Sequence, residues 1–167
     1  MNLSIALEIG VPEAGEAERI IAIARDAGVF STEEVDVVQE LVQEHFQLGA
    51  ERSGYYFIVA RDERDLLGFA CYGPRPLTIG TFDLYWIVVA PRLGQRGIGT
   101  ILLERVTHDV RTAGGRLLVA ETSGLPAYLP AREFYDRHRF MRVASIADFY
   151  APGDDLVLFV KGLDQCL

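Results

Sequence analysis

The sequence predicts a single α/β domain with a mixed, mostly antiparallel sheet, one parallel strand pair and helices on both faces. Short apolar runs bounded by turn residues indicate strands, and longer stretches with apolar residues at helical spacing indicate helices. A strand, a helix and a strand follow one another over residues 82–121, and such a crossover makes its two strands parallel neighbours. At 167 residues, the chain is long enough to bury a substantial core as one domain over residues 1–167.

The first half of the chain predicts two helices and a hairpin. Isoleucines and alanines at helical spacing predict a helix over residues 16–26. A capping box over residues 31–34, followed by an apolar face, predicts a second helix over residues 32–49. Two apolar runs, residues 55–60 and 66–72, flank a charged turn and therefore predict a β-hairpin.

The second half predicts the crossover and a final hairpin. An apolar run over residues 82–89 predicts a strand, and a glycine-rich turn leads from it into a helix that ends at Gly114 and Gly115. The remaining predicted elements are a strand over residues 116–121, a helix over 126–139, and a hairpin of residues 141–145 and 156–160 across a loop at 150–155.

Charge and hydropathy patterning exclude several classes of function. The formal net charge is −8 and no run of lysine or arginine is present, so the chain is expected to repel nucleic acid. No apolar run reaches the roughly 18 residues of a membrane span, and the N-terminal sequence lacks the pattern of a signal peptide. We therefore expect a cytoplasmic protein with no nucleic-acid or membrane partner. An acidic surface favours cationic substrates, and amines are cationic at neutral pH.

The cysteines and histidines match no metal site. Cys71 and Cys166 lie far apart in the sequence and indicate two reduced thiols. His45, His108 and His138 are scattered over predicted helices, where each is expected to be a surface or boundary residue. The sequence therefore predicts no metal ion. Neither cysteine has the surroundings of a nucleophile, which disfavours a covalent enzyme intermediate.

The turn between the strand at residues 82–89 and the following helix is the most informative segment. Gly94, Gly97 and Gly99 lie where the strand becomes a helix, so the backbone can form a concave row of N–H groups. The first N–H groups of a helix have no internal partner and carry the positive end of the helix dipole. The turn is therefore predicted to bind an anion such as a phosphate or pyrophosphate.

Two common phosphate-binding motifs fit this turn poorly. A P-loop requires a lysine after its last glycine, whereas Gly99 is followed by Thr100 and Ile101. A dinucleotide-binding fold requires Gly-x-Gly-x-x-Gly, whereas the spacing here is Gly-x-x-Gly-x-Gly. Glu121 does lie about 20 residues further on, where a ribose-binding acid is expected. Too few residues follow Glu121, however, to complete a doubly wound sheet.

The same turn resembles the acetyl-CoA-binding signature of the GNAT superfamily of N-acetyltransferases. Residues 89–91 (Val-Ala-Pro) and 97–99 (Gly-Ile-Gly) are similar to its strand end and loop, with Gly94 in place of the signature's first Gln or Arg. Residues 131–140 resemble the family's Ala-x-x-Phe-Tyr-x-x-x-Gly-Phe helix, with Arg139 in place of the glycine. Because a residue at a helix end often needs a positive φ, we expect either strain at Arg139 or a different turn.

The resemblance, which covers residues 55–162, implies an enzyme that moves an acetyl group from acetyl-CoA to a primary amine by direct transfer in a ternary complex. It also implies that the parallel strand pair splays apart to admit the pantetheine arm of CoA. The acceptor is expected to be a small-molecule or peptide amine, and a homodimer is compatible with the fold. The alternative is a catalytically silent acyl-CoA-binding sensor or regulatory module on the same fold.

The resemblance also implies which residues bind acetyl-CoA. A backbone N–H of Val88 or Val89 is the implied hydrogen-bond donor to the thioester carbonyl. Ser123, with its neighbour Thr122, is the implied polar contact to pantetheine. The turn that is expected to hold the pyrophosphate comprises Gly94, Gln95, Arg96, Gly97, Ile98, Gly99 and Thr100.

Three residues are candidates for proton transfer. Tyr135 in the second motif is the implied acid, because a phenol with a pKa of about 10 is matched to a departing thiol with a pKa of about 8.5. Asp83 matches the position of the glutamate base in the protein-lysine acetyltransferase branch, and Glu121, at the end of the parallel partner strand, is the alternative base.

Tyr85 and Tyr150, the latter in the final hairpin loop, are expected to line the acceptor pocket, where aromatic rings suit a cation.

Overall fold

The computed structural model describes residues 7–93 and 96–163 of the chain. Gly94 and Gln95 of the predicted anion-binding turn, and Cys166, lie outside the described residues. Within the described ranges the backbone forms five α-helices and seven β-strands, and the strands make one mixed sheet, which confirms the predicted fold class. No helix in those two ranges is both long enough and apolar enough to span a membrane.

The helices follow the local sequence signals, with one short addition. The five helices are α1 Ala17–Asp26, α2 Thr32–Leu48, α3 Ala50–Ser53, α4 Ile98–Thr112 and α5 Leu129–Arg137. At the start of α2 the Glu34 N–H donates to Ser31 Oγ at 3.2 Å, and the Ser31 N–H donates to the Glu34 carboxylate at 2.8 Å. This reciprocal pair confirms the predicted capping box, which satisfies two backbone donors at the helix end. Helix α3, a single helical turn, has no counterpart among the elements predicted from the sequence.

The sheet contains one parallel strand pair. The strands are β1 Glu8–Gly10, β2 Tyr56–Arg61, β3 Leu66–Pro74, β4 Thr81–Val89, β5 Leu117–Ser123, β6 Met141–Ala151 and β7 Asp154–Gly162, in the order β1-β2-β3-β4-β5-β7-β6. Strands β4 and β5 pair in parallel, with residues 81–83 opposite residues 117–119. Helix α4 connects these two strands, so the predicted crossover is confirmed. The β1–β2, β2–β3, β5–β7 and β6–β7 pairs are antiparallel.

The chain packs as two compact units, of which the first comprises the residues up to Gly73 together with Trp86–Val106. Its apolar core lies where α1 and α2 cover β2, β3 and the end of β4. The core side chains include Ile20, Val38, Val42, Phe57, Phe69 and Val88. Burying a large apolar side chain of this kind stabilises the fold by about 1.5–3 kcal/mol. Trp86 joins this core by packing edge-on against Phe30, with 5.1 Å between ring centroids.

His45 on α2 is buried, which corrects the expectation that it lies at the surface or boundary. Its Nδ1 lies 2.9 Å from the Tyr55 carbonyl oxygen. The ring also packs edge-on against Phe46 and Phe57. An imidazole with one hydrogen bond can replace an apolar side chain under a helix, and helical spacing alone does not distinguish this case from a surface position.

The second unit comprises Pro74–Tyr85 and the residues from Thr107 onward. Its buried side chains include Val110, Leu118, Tyr135, Phe140, Leu156, Val157 and Phe159. Gly115 approaches helix α4 so closely that a Cβ there would lie 2.8 Å from the Val110 carbonyl oxygen. Lys161 on β7 holds its ammonium 5.6 Å from the centroid of the Phe140 ring, which is a cation–π distance.

The last hairpin is longer than the sequence predicts. Strands β6 and β7 leave a two-residue turn at Pro152 and Gly153, so most of the predicted loop at residues 150–155 is strand. Residues 147–150 bulge out of the pairing between the two strands. Within the bulge, Asp148 takes a φ of 53°, and its N–H donates to a carboxylate on β7 at 3.0 Å. Side-chain hydrogen bonds hold this bulge, and a search for alternating apolar residues does not detect them.

Strand β1 is a second element that the sequence analysis did not predict. It has only three residues and pairs with β2. Arg61 on β2 secures it, because its guanidinium donates to the Glu8 carboxylate at 3.0 Å, to the Glu16 carboxylate at 2.9 Å and to the Val11 carbonyl at 2.9 Å. These contacts join residues that are 45 to 53 positions apart in the chain, and local sequence patterns cannot reveal them.

Candidate active site

The start of α4 has the geometry of an anion-binding helix end. Gly97 precedes the helix with a φ of 79°, a left-handed conformation that favours glycine. The Ile101 N–H donates to the Gly97 carbonyl at 3.1 Å, so the N–H groups of Ile98 and Gly99 have no acceptor within the helix. The Ile98 side chain is buried and anchors this end of the helix. The Arg96 N–H donates to a carbonyl in the preceding turn at 3.3 Å, so one of the predicted donors is already engaged.

Replacing Gly97 with alanine is expected to destabilise the protein by about 1–2 kcal/mol, because an L-residue at this φ strains the backbone. Apart from the two chain neighbours of Gly97, no described residue has a heavy atom within 4 Å of a Cβ built there, so the penalty is conformational rather than steric. Asparagine tolerates the left-handed region, so Gly97→Asn should cost less. Thermal unfolding of both variants tests the expectation, and equal midpoints for Gly97→Ala and the wild type would contradict it.

Strands β3 and β4 approach each other closely at Val88 and Val89, the two residues whose N–H groups are predicted to donate to the thioester carbonyl. A Cβ built on Gly68 of β3 would lie 2.7 Å from the Val88 carbonyl oxygen and 3.2 Å from the Val89 Cα. Just beyond them, the Ala90 N–H donates to the Leu67 carbonyl at 2.8 Å. Direct backbone packing therefore fixes the position of Val88 and Val89 on their strand.

Asp83 and Glu121, the two candidate bases, are brought together by an arginine that the sequence analysis did not single out. The Nε of Arg75 donates to both carboxylate oxygens of Asp83, at 2.9 and 3.0 Å, and its Nη2 lies 2.7 Å from Asp83 Oδ1. The same Nη2 donates to Glu121 Oε1 at 3.0 Å. The hydrogen bond to Asp83 is the main cause that raises the pKa of Arg75, so the guanidinium stays charged. We call these three residues the Arg75 cluster.

Arg75 carries only a weak signal in the sequence. It lies between Pro74 and Pro76 at the end of an apolar run, where a charged side chain is usually solvated. Its contact with Glu121 spans 46 positions in the chain. The two residues meet because the parallel pairing of β4 and β5 brings distant segments together, and no local spacing indicates that pairing partner.

Tyr135, the candidate acid, is buried in the second unit. The residue is 7% exposed, and its ring lies 5.2 Å from Phe140 and 5.3 Å from Phe159 between centroids. No described residue forms a hydrogen bond with its hydroxyl. Burial raises the pKa of Tyr135 above the usual value for a phenol, so its match to a thiol is poorer than the sequence analysis assumed. The phenol stays protonated at neutral pH and is able to donate a hydrogen bond.

The end of helix α5 confirms one of the two expectations for Arg139. Arg139 takes a φ of 64°, so a non-glycine residue adopts the left-handed conformation in which the family usually has glycine. The next N–H, that of Phe140, donates to the Tyr135 carbonyl at 3.1 Å. The helix therefore ends with the expected backbone path, and Arg139 is the strained residue in it.

The Ser123 side chain has two partners in the protein. Its Oγ donates to the Asp154 carboxylate at 2.5 Å and accepts from the Leu125 N–H at 3.0 Å. Arg132 on α5 donates to the Ser123 carbonyl at 2.6 Å. Ser123 therefore ties the end of β5 to β7 and α5, and its contact with pantetheine stays a prediction.

The two predicted acceptor-lining tyrosines differ in their surroundings. Both Tyr85 and Tyr150 are exposed. Tyr85 lies on β4, as expected, whereas Tyr150 lies in the bulge of β6 and not in a hairpin loop. The rings of Phe149 and Tyr150 pack edge to face with 5.0 Å between centroids. The correction arises because the strands of the final hairpin extend past the apolar runs that predict them.

The mixed sheet, its single parallel pair and the helix that follows β4 after Gly97 define an α/β protein in which a helix connects two parallel strands. Sequence comparison then identifies the family. The profile of the acetyltransferase (GNAT) family matches residues 18–140, well over half of the chain. The chain belongs to this family, so the resemblance found in the sequence is confirmed.

Solved structures agree with this assignment. A crystal structure from Desulfovibrio desulfuricans, assigned to the GNAT acetyltransferases, is 44% identical with a TM-score of 0.92, over 95% of this chain and 100% of that chain. A Salmonella typhimurium protein described as an acetyltransferase, with acetyl-CoA bound, is 19% identical with a TM-score of 0.73, over 96% of each chain. The ribosomal-protein-S18-alanine N-acetyltransferase of Escherichia coli is 15% identical with a TM-score of 0.75, also over 96% of each chain. Among curated proteins, no sequence matches this chain.

Proposed function

We propose that this protein is an N-acetyltransferase that moves an acetyl group from acetyl-CoA to a primary amine by direct transfer in a ternary complex. Membership of the acetyltransferase (GNAT) family supports acyl transfer as the class of reaction. The observation that carries the proposal is the left-handed Gly97 ahead of α4, because it presents a helix N-terminus of the kind that binds phosphate groups.

Backbone groups are proposed to bind the donor. The turn from Gly94 to Thr100, which includes residues outside the described ranges, would hold the pyrophosphate of acetyl-CoA. A backbone N–H of Val88 or Val89 would donate to the thioester carbonyl and stabilise the charge that its oxygen gains during attack. Ser123 is the candidate contact to the pantetheine arm. Acetyl-CoA supplies the activated acetyl group, and no metal ion is needed for this chemistry.

The acceptor ammonium loses two protons in the proposed reaction. A carboxylate, that of Asp83 or Glu121, takes the first proton and so exposes the nitrogen lone pair that attacks the acetyl carbon. Tyr135 donates to the sulfur and gives it a proton as the carbon–sulfur bond breaks. The second proton from the nitrogen restores the phenol. The products are an acetamide, the free thiol of CoA and one proton released to solvent.

A cationic acceptor suits the charge of this protein. The net charge of −8 attracts ammonium groups over the distance of a Debye length or less. Structurally similar proteins include an N-acetyltransferase named for an alanine of a ribosomal protein and one named for aminoglycosides. We propose a small-molecule or peptide amine as acceptor, with Tyr85 and Tyr150 along its approach, and a cytoplasmic location.

Acetyl-CoA is expected to raise the thermal unfolding midpoint of the purified protein. A ligand at about 100 times its Kd adds about 2.7 kcal/mol of stability. For a chain of this size, that gain moves the midpoint by about 5–10 °C. Differential scanning fluorimetry with acetyl-CoA, CoA, NADH and NADPH in parallel measures the shift. A shift with a nicotinamide cofactor and none with either CoA species would overturn the proposal and make Glu121 a ribose ligand.

Release of CoA thiol in the presence of an amine tests the transfer itself. The acceptor panel would contain spermidine, kanamycin and a hexapeptide with a free N-terminal alanine, each incubated with the protein and acetyl-CoA. Thiol release that depends on the amine, with acetylated product seen by mass spectrometry, supports an N-acetyltransferase. Tight binding of acetyl-CoA without transfer to any amine would instead indicate the silent sensor.

A further inference from the structure

The Arg75 cluster stands on a loop whose backbone is fixed at the arginine. The Arg75 N–H donates to the Thr81 carbonyl at 2.9 Å, and the Arg75 carbonyl accepts from the Thr78 hydroxyl at 2.8 Å. Pro74 restricts the backbone before Arg75, and Pro76 restricts Arg75 itself. The planar guanidinium therefore projects from a fixed point, which suits it to hold a carboxylate in one orientation.

Arg75 holds its two carboxylates unequally. Asp83 accepts hydrogen bonds at both oxygens, and its side chain is 13% exposed. Glu121 accepts at Oε1 alone, and its side chain is 44% exposed. No described residue donates to Glu121 Oε2. Asp83 is thus committed to the arginine, whereas Glu121 keeps one oxygen available to a molecule from solution.

The cluster also carries one negative charge in excess, because a single guanidinium faces two carboxylates. Neighbouring elements supply no second cation to Glu121 among the described contacts. The residue opposite Glu121 on β7 is Leu158. Arg132, the α5 arginine that reaches the end of β5, donates to the carbonyls of Ser123 and Leu125. A cation that approaches Glu121 Oε2 would therefore complete the charge balance of the cluster.

We infer that Glu121 Oε2 receives the ammonium of the acceptor and takes its proton, while Arg75 and Asp83 are positioning residues that hold Oε1. The step breaks one N–H bond and forms one O–H bond, which leaves a neutral amine beside a neutral carboxylic acid. The proton then passes from Glu121 to solvent. This inference rests on the proposed function and selects one base from its two candidates.

The test compares kcat and both KM values for several variants, with whichever amine of the panel gives the fastest thiol release. Glu121→Gln is expected to lower kcat by about 100-fold, because an amide cannot take the proton. Arg75→Ala is expected to lower kcat by about 10-fold, because Glu121 remains but loses its fixed orientation. The KM for acetyl-CoA should stay within about twofold of wild type in both, a result that general loss of structure would not give.

A double variant separates a positioning role from an independent one. If Arg75 acts through Glu121, Arg75→Ala added to Glu121→Gln should lower kcat by less than about twofold more. Glu8→Gln is the matched control, because Glu8 also accepts a 3.0 Å hydrogen bond from an arginine, Arg61. Its kcat is expected to equal that of wild type. If Arg75→Ala does not fold, Arg75→Lys replaces it, since lysine keeps the charge but not the planar fork.

Each outcome bears on the inference in a defined way. If the wild type transfers acetyl groups and Glu121→Gln retains the kcat of Glu8→Gln, the inference is wrong and the proposed function stands. If the fold-decreases in kcat of the two single variants multiply in the double variant, Arg75 acts independently of Glu121 and its positioning role is overturned. A wild-type protein that acetylates no amine refutes the proposed function and the inference with it.

Discussion

Replacing Tyr135 with phenylalanine is expected to lower kcat for acetyl transfer by about 100-fold, the size of effect typical for loss of a general acid. The substitution keeps the ring that packs against Phe140 and Phe159 and removes only the hydroxyl. Because no described residue forms a hydrogen bond with that hydroxyl, its loss should leave the unfolding midpoint nearly unchanged. The KM for acetyl-CoA is expected to stay within about twofold of wild type.

Tyr56→Phe serves as the control for Tyr135→Phe. Tyr56 on β2 stacks on Tyr72 at 5.4 Å between centroids, so this variant also removes a tyrosine hydroxyl and keeps the ring contact. A kcat within twofold of wild type for Tyr135→Phe would remove the acid role. Burial raises the pKa of Tyr135, so the phenol should remain protonated up to at least about pH 10. We therefore expect no fall in kcat below that pH from ionisation of Tyr135.

Gly68→Ala is expected to destabilise the protein by about 3 kcal/mol, because the new methyl group overpacks a tight strand contact. The Cβ would lie 2.7 Å from the Val88 carbonyl oxygen, 3.2 Å from the Val89 Cα and 3.3 Å from Leu102 Cδ1. Two of these three atoms are backbone, so relief requires β3 and β4 to move apart. The unfolding midpoint should fall by about 6–12 °C for a chain of this length.

The same substitution should also weaken acetyl-CoA binding, because it displaces the strand that carries the proposed donors Val88 and Val89. Gly15→Ala is the control, because outside the adjoining backbone no described residue has a heavy atom within 4 Å of a Cβ built on Gly15. Fluorimetry with and without acetyl-CoA measures both effects on each variant. If Gly68→Ala matches Gly15→Ala in midpoint and in ligand-induced shift, the close approach of the two strands does not constrain the site.

Features that depend on local contacts or on chain connectivity followed from the sequence. The capping box of Ser31 and Glu34 joins residues three positions apart, and the structure contains both of its hydrogen bonds. The strands of the crossover at residues 82–121 were predicted to be parallel because a helix connects them, and β4 and β5 do pair in parallel. The positive φ at Gly97 agrees with the motif that predicts an anion-binding turn.

Features that depend on residues distant in sequence did not follow from it. The Arg75 contact with Glu121 spans 46 positions, and the Arg61 contact with Glu8 spans 53. Each arginine lies at the end of an apolar run, where a charged side chain is usually solvated, so neither contact has a signature in a single sequence. The bulge of β6 was missed for a different reason, because a side-chain hydrogen bond from the Asp148 N–H to the Asp155 carboxylate holds it and no apolar pattern marks that bond.

Lys161, whose ammonium lies over the Phe140 ring, is the only lysine in the chain, and all other cationic side chains are arginine or histidine. A guanidinium is a poor nucleophile toward thioesters because its charge is delocalised and persists at neutral pH. Beyond its N-terminal amine, the protein therefore offers an acetyl donor one amine of its own. In an assay with a second protein present, two peptides of this chain, the N-terminal one and the one that contains Lys161, therefore show whether an acetyl label on protein comes from self-modification.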